Sequence, residues 1–169
     1  MNTKQEVMEN LQMVDEYLPA MFPHVDKLSF IVTGGASFLL KGYTNKVTLD
    51  IDSITTIDEN VLSFLESFSI NNAASEVTPL SSTYTERLTK VRGGFNVLDV
   101  FVLGNEDLVA SKIGRLSDDD LRDIEDTGIM NDVNVNLLME IAEEISTTVP
   151  GFGHKWQYFK NYFQLNEVA

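Results

Sequence analysis

Residues 30–53 have the sequence Phe-Ile-Val-Thr-Gly-Gly-Ala-Ser-Phe-Leu-Leu-Lys-Gly-Tyr-Thr-Asn-Lys-Val-Thr-Leu-Asp-Ile-Asp-Ser. The apolar run 28–33 predicts a β-strand that ends at Gly34-Gly35, and residues 36–41 predict one short helix. A Gly-Gly turn between a strand and a helix lets the backbone approach a phosphate closely, and the N-terminus of the helix favours an anion. The stretch therefore predicts a strand–turn–helix unit suited to holding a phosphate group.

A second strand, predicted over residues 46–53, carries Asp50 and Asp52. Residues two apart on a strand point to the same face, so we expect both carboxylates to project together, with Leu49 and Ile51 buried on the opposite face. Adjacent carboxylates repel one another, and a divalent cation removes that repulsion. Magnesium is commonly bound through one or two carboxylates plus the phosphates of a substrate. The alternative is that the pair lies on a solvated strand face and binds nothing.

These residues also resemble a known family. The opening motif of minimal nucleotidyltransferases is similar to Gly34-Gly35-Ala36-Ser37, Gly42, Thr48 and Asp50-Ile51-Asp52. Two later segments resemble the Lys-x-x-Arg and Asp-x-x-Asp elements of the AbiEii-like nucleotidyltransferases, which include toxins of bacterial toxin–antitoxin systems. Those segments are Leu-Val-Ala-Ser-Lys-Ile-Gly-Arg at 108–115 and Asp-Leu-Arg-Asp-Ile at 120–124.

The resemblance implies transfer of a nucleotide from a nucleoside triphosphate with Mg²⁺ or Mn²⁺. It implies metal binding by Asp50, Asp52 and a third carboxylate. The candidate is Asp99, because a lone acid within the apolar run 95–103 is costly to bury without a cation or partner. The remaining catalytic residues that it implies are Lys112, Asp120 and Asp123. The nucleotide contacts that it implies are Gly34, Gly35, Ser37, Lys46, Lys112 and Arg115.

Each of these assignments has a simpler alternative. Lys46 stands where the family often has arginine, and lysine lacks the planar fork with which arginine holds a phosphate. Ser37 could cap the helix, and Asp99 could lie on an exposed sheet face. Lys112 and Arg115 could pair with the acidic run 118–120, where solvated ion pairs contribute little to stability. Asp120 and Asp123 lie three apart on a predicted helix and could face the same two cations.

Near the C-terminus, residues 152–163 mix aromatic side chains with two lysines. Aromatic side chains can stack on nucleic-acid bases. Here Trp156, Phe159 and Phe163 recur at helical spacing, which favours a stripe facing the core instead.

The composition limits the function classes. The chain has 169 residues, no cysteine, two histidines and a formal net charge of −14. Without cysteine there are no disulfides or thiolate metal sites, so a metal site would be built from carboxylates. The acidity argues against a broad surface for nucleic acid or anionic membrane. With no signal peptide and no apolar run of ~20 residues, the sequence predicts no membrane partner and a bacterial-type cytoplasmic location.

The predicted elements alternate along the chain. A helix over 4–18 is expected to end at Pro19 and Pro23, and Asp58 is expected to cap a helix that runs to about residue 68. A polar, turn-prone segment follows at 71–82. The runs 87–91 and 95–103, joined by Arg92-Gly93-Gly94, predict a hairpin.

From residue 105 the pattern is helical, with breaks near Gly128, Asn131 and Pro150-Gly151. This order predicts an α/β (α+β) fold in which a small mixed sheet is flanked by helices. We expect a nucleotidyltransferase-like head over 1–104 and a helical part over 105–169 packed on it as one compact domain.

Three functions fit the sequence. The first is a nucleotidyltransferase that acts on an RNA, protein or small-molecule acceptor, as a possible toxin–antitoxin component with a cognate antitoxin. The second is a non-catalytic nucleotide-binding or protein-interaction module of the same fold. The third is a structural domain whose acidic pairs serve solvation. The glycine pair together with Asp-x-Asp favours the first over the third.

Overall fold

The computed structural model describes residues 1–72 and 78–165. Backbone contacts divide the chain into two units, Met1–Val77 with Leu88–Leu103, and Thr78–Arg87 with Gly104–Ala169. The sequence-based division at residue 104 places segment 78–87 in the first part, whereas the structure groups it with the second unit. Residues 73–77, within the predicted turn-prone segment, lie outside the described residues.

The first unit is a mixed sheet with helices, as predicted. Its strands are β1 (Leu28–Thr33), β2 (Ile51–Ser53), β3 (Ile70–Asn71), β4 (Thr89–Lys90) and β5 (Leu98–Val102), and its helices are α1 (Lys4–Met21), α2 (Gly34–Leu40) and α3 (Glu59–Glu66). The order in the sheet is β3-β2-β1-β5-β4. β1 runs parallel to β5 and antiparallel to β2, while β4 is antiparallel to β5. The predicted hairpin is confirmed, although its strands are shorter than expected.

Helix α1 buries one face, as its periodicity predicts. Val7, Leu11, Val14 and Leu18 are all fully buried. The prediction that Pro19 ends this helix is wrong, because Pro19 lies inside it. A proline removes the one bond that its own nitrogen would donate. In the last turn that loss is tolerated, and the helix still closes with a backbone bond of 2.8 Å from the Phe22 N–H to the Leu18 carbonyl.

Strand β2 is shorter than the predicted strand 46–53, for a reason that lies in β1. The β1–β2 ladder pairs Val32 with Ser53 and Thr33 with Asp52. The next pair of this antiparallel ladder would join Ile51 to residue 34, but α2 begins at residue 34. The residues before Ile51 therefore have no partner on β1. Ile51 is fully buried as predicted, whereas Leu49 is 82% exposed, so its predicted burial is wrong.

Helix α3 begins where its cap predicts. The Asp58 carboxylate accepts a hydrogen bond from the Asn60 backbone N–H at 3.0 Å. Val61 and Leu65 are buried on one face of the helix.

The second unit is helical in its described residues, apart from loops and two 3₁₀ turns. The helices are α4 (Asn105–Ile113), α5 (Asp118–Thr127), α6 (Val135–Thr148) and α7 (Phe152–Tyr162). The predicted break at Gly128 is confirmed, with φ of +71°. The core-facing stripe is confirmed at Trp156 and Phe159, whose stacked rings lie 5.9 Å apart and are both buried. Among the described helices, none is long and apolar enough to cross a membrane.

Candidate functional site

The predicted glycine turn and the predicted metal ligand Asp52 lie against each other. Thr33 ends β1 and pairs with Asp52, so the following residue, Gly34, lies under the Asp52 side chain. A Cβ atom on Gly34 would be 2.7 Å from Asp52 Oδ2, and Gly34 has φ of +66°. The backbone angle therefore favours glycine at this position, and any added side chain would also displace the Asp52 carboxylate.

Gly35 is covered by the segment that precedes β2. A Cβ on Gly35 would lie 2.6 Å from Cε of Lys46 and 2.9 Å from Cβ of Thr48. The Thr48 hydroxyl donates to the Asp50 carbonyl at 2.9 Å. The structure thus brings Gly34, Gly35, Lys46 and Asp52 together at the beginning of α2.

Ser37 is buried within the same turn, and its hydroxyl donates to the Gly34 carbonyl at 2.6 Å. The N-cap of α2 is Thr33, without a side-chain cap bond, so Ser37 does not cap this helix. Instead its hydroxyl braces the turn that holds Gly34 beneath Asp52.

Of the three carboxylates predicted to bind a metal, Asp50 is the first whose position in the structure differs from the prediction. It lies outside β2 and is exposed, so strand alternation does not place it on one face with Asp52. The predicted strand face therefore does not include Asp50, which lies on the segment that leads directly into β2.

Asp99 is the second predicted metal ligand whose position in the structure differs from the prediction. Its Cα pairs with Ser29 of β1, whereas Asp52 pairs with Thr33. Four residues along a strand span roughly 13 Å, so the two carboxylates share a sheet face but not a position along it. Asp99 instead forms an ion pair with Lys90 at 3.3 Å. Within residues 1–72 and 78–165, no three His, Asp or Glu side chains are grouped so as to hold a metal ion.

The remaining predicted residues form an ion cluster in the second unit. The Lys112 amino group lies 2.9 Å from Asp123 Oδ2 and 3.4 Å from Asp120 Oδ1. Arg115 donates to both Asp120 oxygens, at 2.8 and 2.7 Å. The side chains of Lys112 and Asp120 are 9% and 1% exposed, so their pairing is buried, whereas the Arg115 side chain is 73% exposed at the edge of the cluster.

Asp120 is also part of a capping box. Its carboxylate accepts from the Ser117 backbone and hydroxyl, and the Ser117 hydroxyl caps α5. Burial raises the pKa of Asp120, but the hydrogen bonds from Arg115 and Ser117 and the charge of Lys112 outweigh it and lower the pKa to about 2. The sequence anticipates both partners, since Asp120 and Asp123 are expected to face Lys112 or Arg115, and the structure pairs them so.

Two buried carboxylates have no signal in the sequence. Asp107 is fully buried and holds Arg87 through two bonds, at 2.7 and 2.9 Å. In the first unit, the Asp15 carboxylate accepts from the backbone N–H groups at the start of β5, which belong to Asn96, Val97 and Leu98. Both pairs join residues far apart in the chain, so no local spacing reveals them.

The mixed sheet, the flanking helices and the glycine turn beneath Asp52 are consistent with a nucleotidyltransferase-like α+β protein. The family described as "Nucleotidyltransferase of unknown function (DUF6036)" matches residues 9–168, and the chain belongs to it. No curated protein and no solved structure matches the chain. The family supports nucleotidyltransferase as the class of activity, while the AbiEii-like assignment stays a prediction.

Proposed function

We propose that this chain transfers a nucleotidyl group from a nucleoside triphosphate, with Mg²⁺ or Mn²⁺, to an acceptor. An oxygen of the acceptor forms the new bond to the α-phosphorus, the bond between the α- and β-phosphates breaks, and pyrophosphate leaves. The observation that carries the proposal is the packing of Asp52 on Gly34, with Lys46 across Gly35. This arrangement places a carboxylate and a cation side by side at one turn. A carboxylate suits a divalent cation that is also bound by substrate phosphates, and a lysine suits a phosphate oxygen.

Each residue at the turn has its own part in binding. Gly34 and Gly35 have no side chains of their own, so Asp52 and Lys46 can pack closely against the first turn of α2. Lys46 supplies a point charge for a phosphate oxygen, without the directional fork of an arginine. Ser37 holds the turn in shape through its bond to the Gly34 carbonyl.

Asp52 and Asp50 are the residues that would hold the divalent cation. Two carboxylates fit Mg²⁺, which is bound through one or two carboxylates when substrate phosphates supply further oxygens. When bound, the cation neutralises charge on the phosphates and orients them. The proposal does not include Asp99, because its register places it elsewhere along the sheet.

The acceptor in this proposal is an RNA, a protein or a small molecule. In its AbiEii-like form, the protein is the toxin of a toxin–antitoxin pair and binds a cognate antitoxin. Transfer of label from each of the four triphosphates to a mixed pool of small RNAs, proteins and metabolites distinguishes the acceptor classes.

The second candidate function is a non-catalytic nucleotide-binding module. One observation favours it: Lys112 and Arg115, the cations expected to counter phosphate charge, are already paired with Asp120 and Asp123. A wild-type chain that binds a triphosphate and labels no member of the pool would establish this alternative.

The decisive variant is Asp52→Asn, with Asp99→Asn as its matched control on the same sheet face. We expect Asp52→Asn to reduce magnesium-dependent triphosphate affinity at least ~10-fold in titration calorimetry, since the charged ligand of the cation is lost. Loss of one such electrostatic group typically lowers turnover by about 10²–10³. Asp99→Asn should leave affinity near wild type. Unchanged affinity in Asp52→Asn, or no triphosphate binding by the wild type, would overturn the proposal.

A further inference from the structure

A groove of about 300 Å³ lies between α5 and α7 in the second unit. Its lining residues are Asp118, Leu121, Arg122, Glu125, Tyr158 and Tyr162, and we call it the α5–α7 groove. It contains none of the residues assigned to nucleotide transfer, so that function does not account for it.

One wall of the groove is an exposed aromatic pair. Tyr158 and Tyr162 stack with ring centroids 6.2 Å apart, and their side chains are 55% and 43% exposed. The Tyr162 hydroxyl donates to Glu125 Oε1 at 2.6 Å, and this hydrogen bond raises the pKa of Tyr162. The faces of such rings carry negative potential and attract cations.

The opposite wall is acidic. Asp118 and Glu125 contribute two carboxylates, and the charge of Arg122 is paired with Asp119. The groove therefore combines negative charge with aromatic faces, and the whole chain carries −14. This chemistry repels phosphate and suits a guanidinium or ammonium group, which can contact a ring and a carboxylate at once.

We propose that the α5–α7 groove docks an arginine or lysine side chain of a polypeptide partner. A polypeptide fits better than a nucleic acid because the groove's carboxylates repel a phosphate backbone, and Arg122, a basic residue in its lining, is already paired with Asp119. The site is independent of nucleotide transfer. A failure of either proposal leaves the other standing, because the two are tested with different variants and different probes.

The probe is a capped Gly-Gly-Arg-Gly-Gly peptide, titrated into ¹⁵N-labelled full-length protein and followed by NMR. Its partner probe carries citrulline, which has the shape of arginine without the charge. We expect the arginine peptide to shift the amide signals of Glu125, Tyr158 and Tyr162, and the citrulline peptide to shift them at least ~3-fold less at equal concentration.

Two variants and one control locate the site. Tyr158→Ala should weaken arginine-peptide binding about two- to fivefold, the effect of one exposed cation–π contact. Glu125→Gln removes the charge while its carbonyl can still accept the Tyr162 hydrogen bond, and it should weaken binding by a similar factor. Glu143→Gln removes one charge from the exposed face of α6 and should leave binding unchanged. Thermal melts check that all three variants are folded.

Three results would overturn the proposal. Equal binding of the citrulline peptide would exclude a cation site. Equal weakening in Glu143→Gln would show attraction to overall acidity and not to the groove. Uridine monophosphate shifting the same amide signals in place of the arginine peptide would make the tyrosines a base-stacking platform.

Discussion

Asp120 offers the sharpest test of how the second unit is held together. Its carboxyl has a pKa of about 2, against an ordinary value of 3.8. At about 1.4 kcal/mol per pKa unit, this difference corresponds to about 2.5 kcal/mol of stability at neutral pH. Asp120→Asn removes that contribution and also the carboxylate that pairs with both Lys112 and Arg115. We expect a loss of roughly 2–4 kcal/mol, the upper end reflecting the cost of breaking a buried pair.

The matched control is Asp119→Asn, one residue away in the same first turn of α5. It removes the same charge from the helix N-terminus, but both Asp119 and its partner Arg122 are exposed. An exposed pair contributes about 0–1 kcal/mol. The comparison therefore isolates burial and the contacts of Asp120 from any general effect of helix charge.

Urea unfolding followed by the fluorescence of Trp156, the single tryptophan, reports on the unit that contains the cluster. Because the folded-state pKa is lowered, the contribution of Asp120 is fully present above its unfolded-state pKa near 3.8. It is lost as the pH falls from there through about 2. The difference between wild type and Asp120→Asn should shrink across this window. A variant no less stable than Asp119→Asn at pH 7 would refute the argument.

Two further predictions concern the first unit. Asp15→Asn should lower the free energy of unfolding by about 1–3 kcal/mol, since the buried carboxylate accepts three backbone N–H bonds at the start of β5. Burial raises the pKa of Asp15, but these bonds and the charge of Lys27 lower it overall. The stability that Asp15 contributes should therefore fade below about pH 4 in denaturation curves. A stability difference between wild type and Asp15→Asn that does not depend on pH would contradict this prediction. Gly35→Ala should displace Lys46 and reduce triphosphate affinity at least ~10-fold while the melting temperature changes by only a few degrees. Gly153→Ala is the control, because its added Cβ would lie 3.8 Å from the nearest neighbour. If Gly35→Ala loses triphosphate affinity only to the extent that it unfolds, Gly35 is a purely structural residue.

Much of the secondary structure follows from local sequence patterns. The periodicity of apolar residues identified α1, Asp58 marked the start of α3, and the run 28–33 is β1. These features depend on residues within one or two turns of each other, so the sequence contains all the information they need. The glycine turn was predicted for the same reason, because positive φ at Gly34 is a local requirement.

Tertiary structure decided which of the candidate residues meet. Asp52 reaches Gly34 because the β1–β2 ladder ends at Thr33, and the same ending leaves Asp50 outside the strand. Asp99 has a suitable residue type, but the register of β5 pairs it with Ser29.

Tertiary structure also determined the ion pairs. The family resemblance implies phosphate contacts for Lys112 and Arg115, yet the turn between α4 and α5 brings Asp120 and Asp123 of α5 against them. The α5–α7 groove likewise exists only because two helices distant in the chain lie side by side. Local sequence patterns thus determined the helices and strands, and the sequence supplied the charged residues that were candidates for the site. Strand register and helix packing, which join residues far apart in the chain, determined which charges are neighbours and which stay exposed.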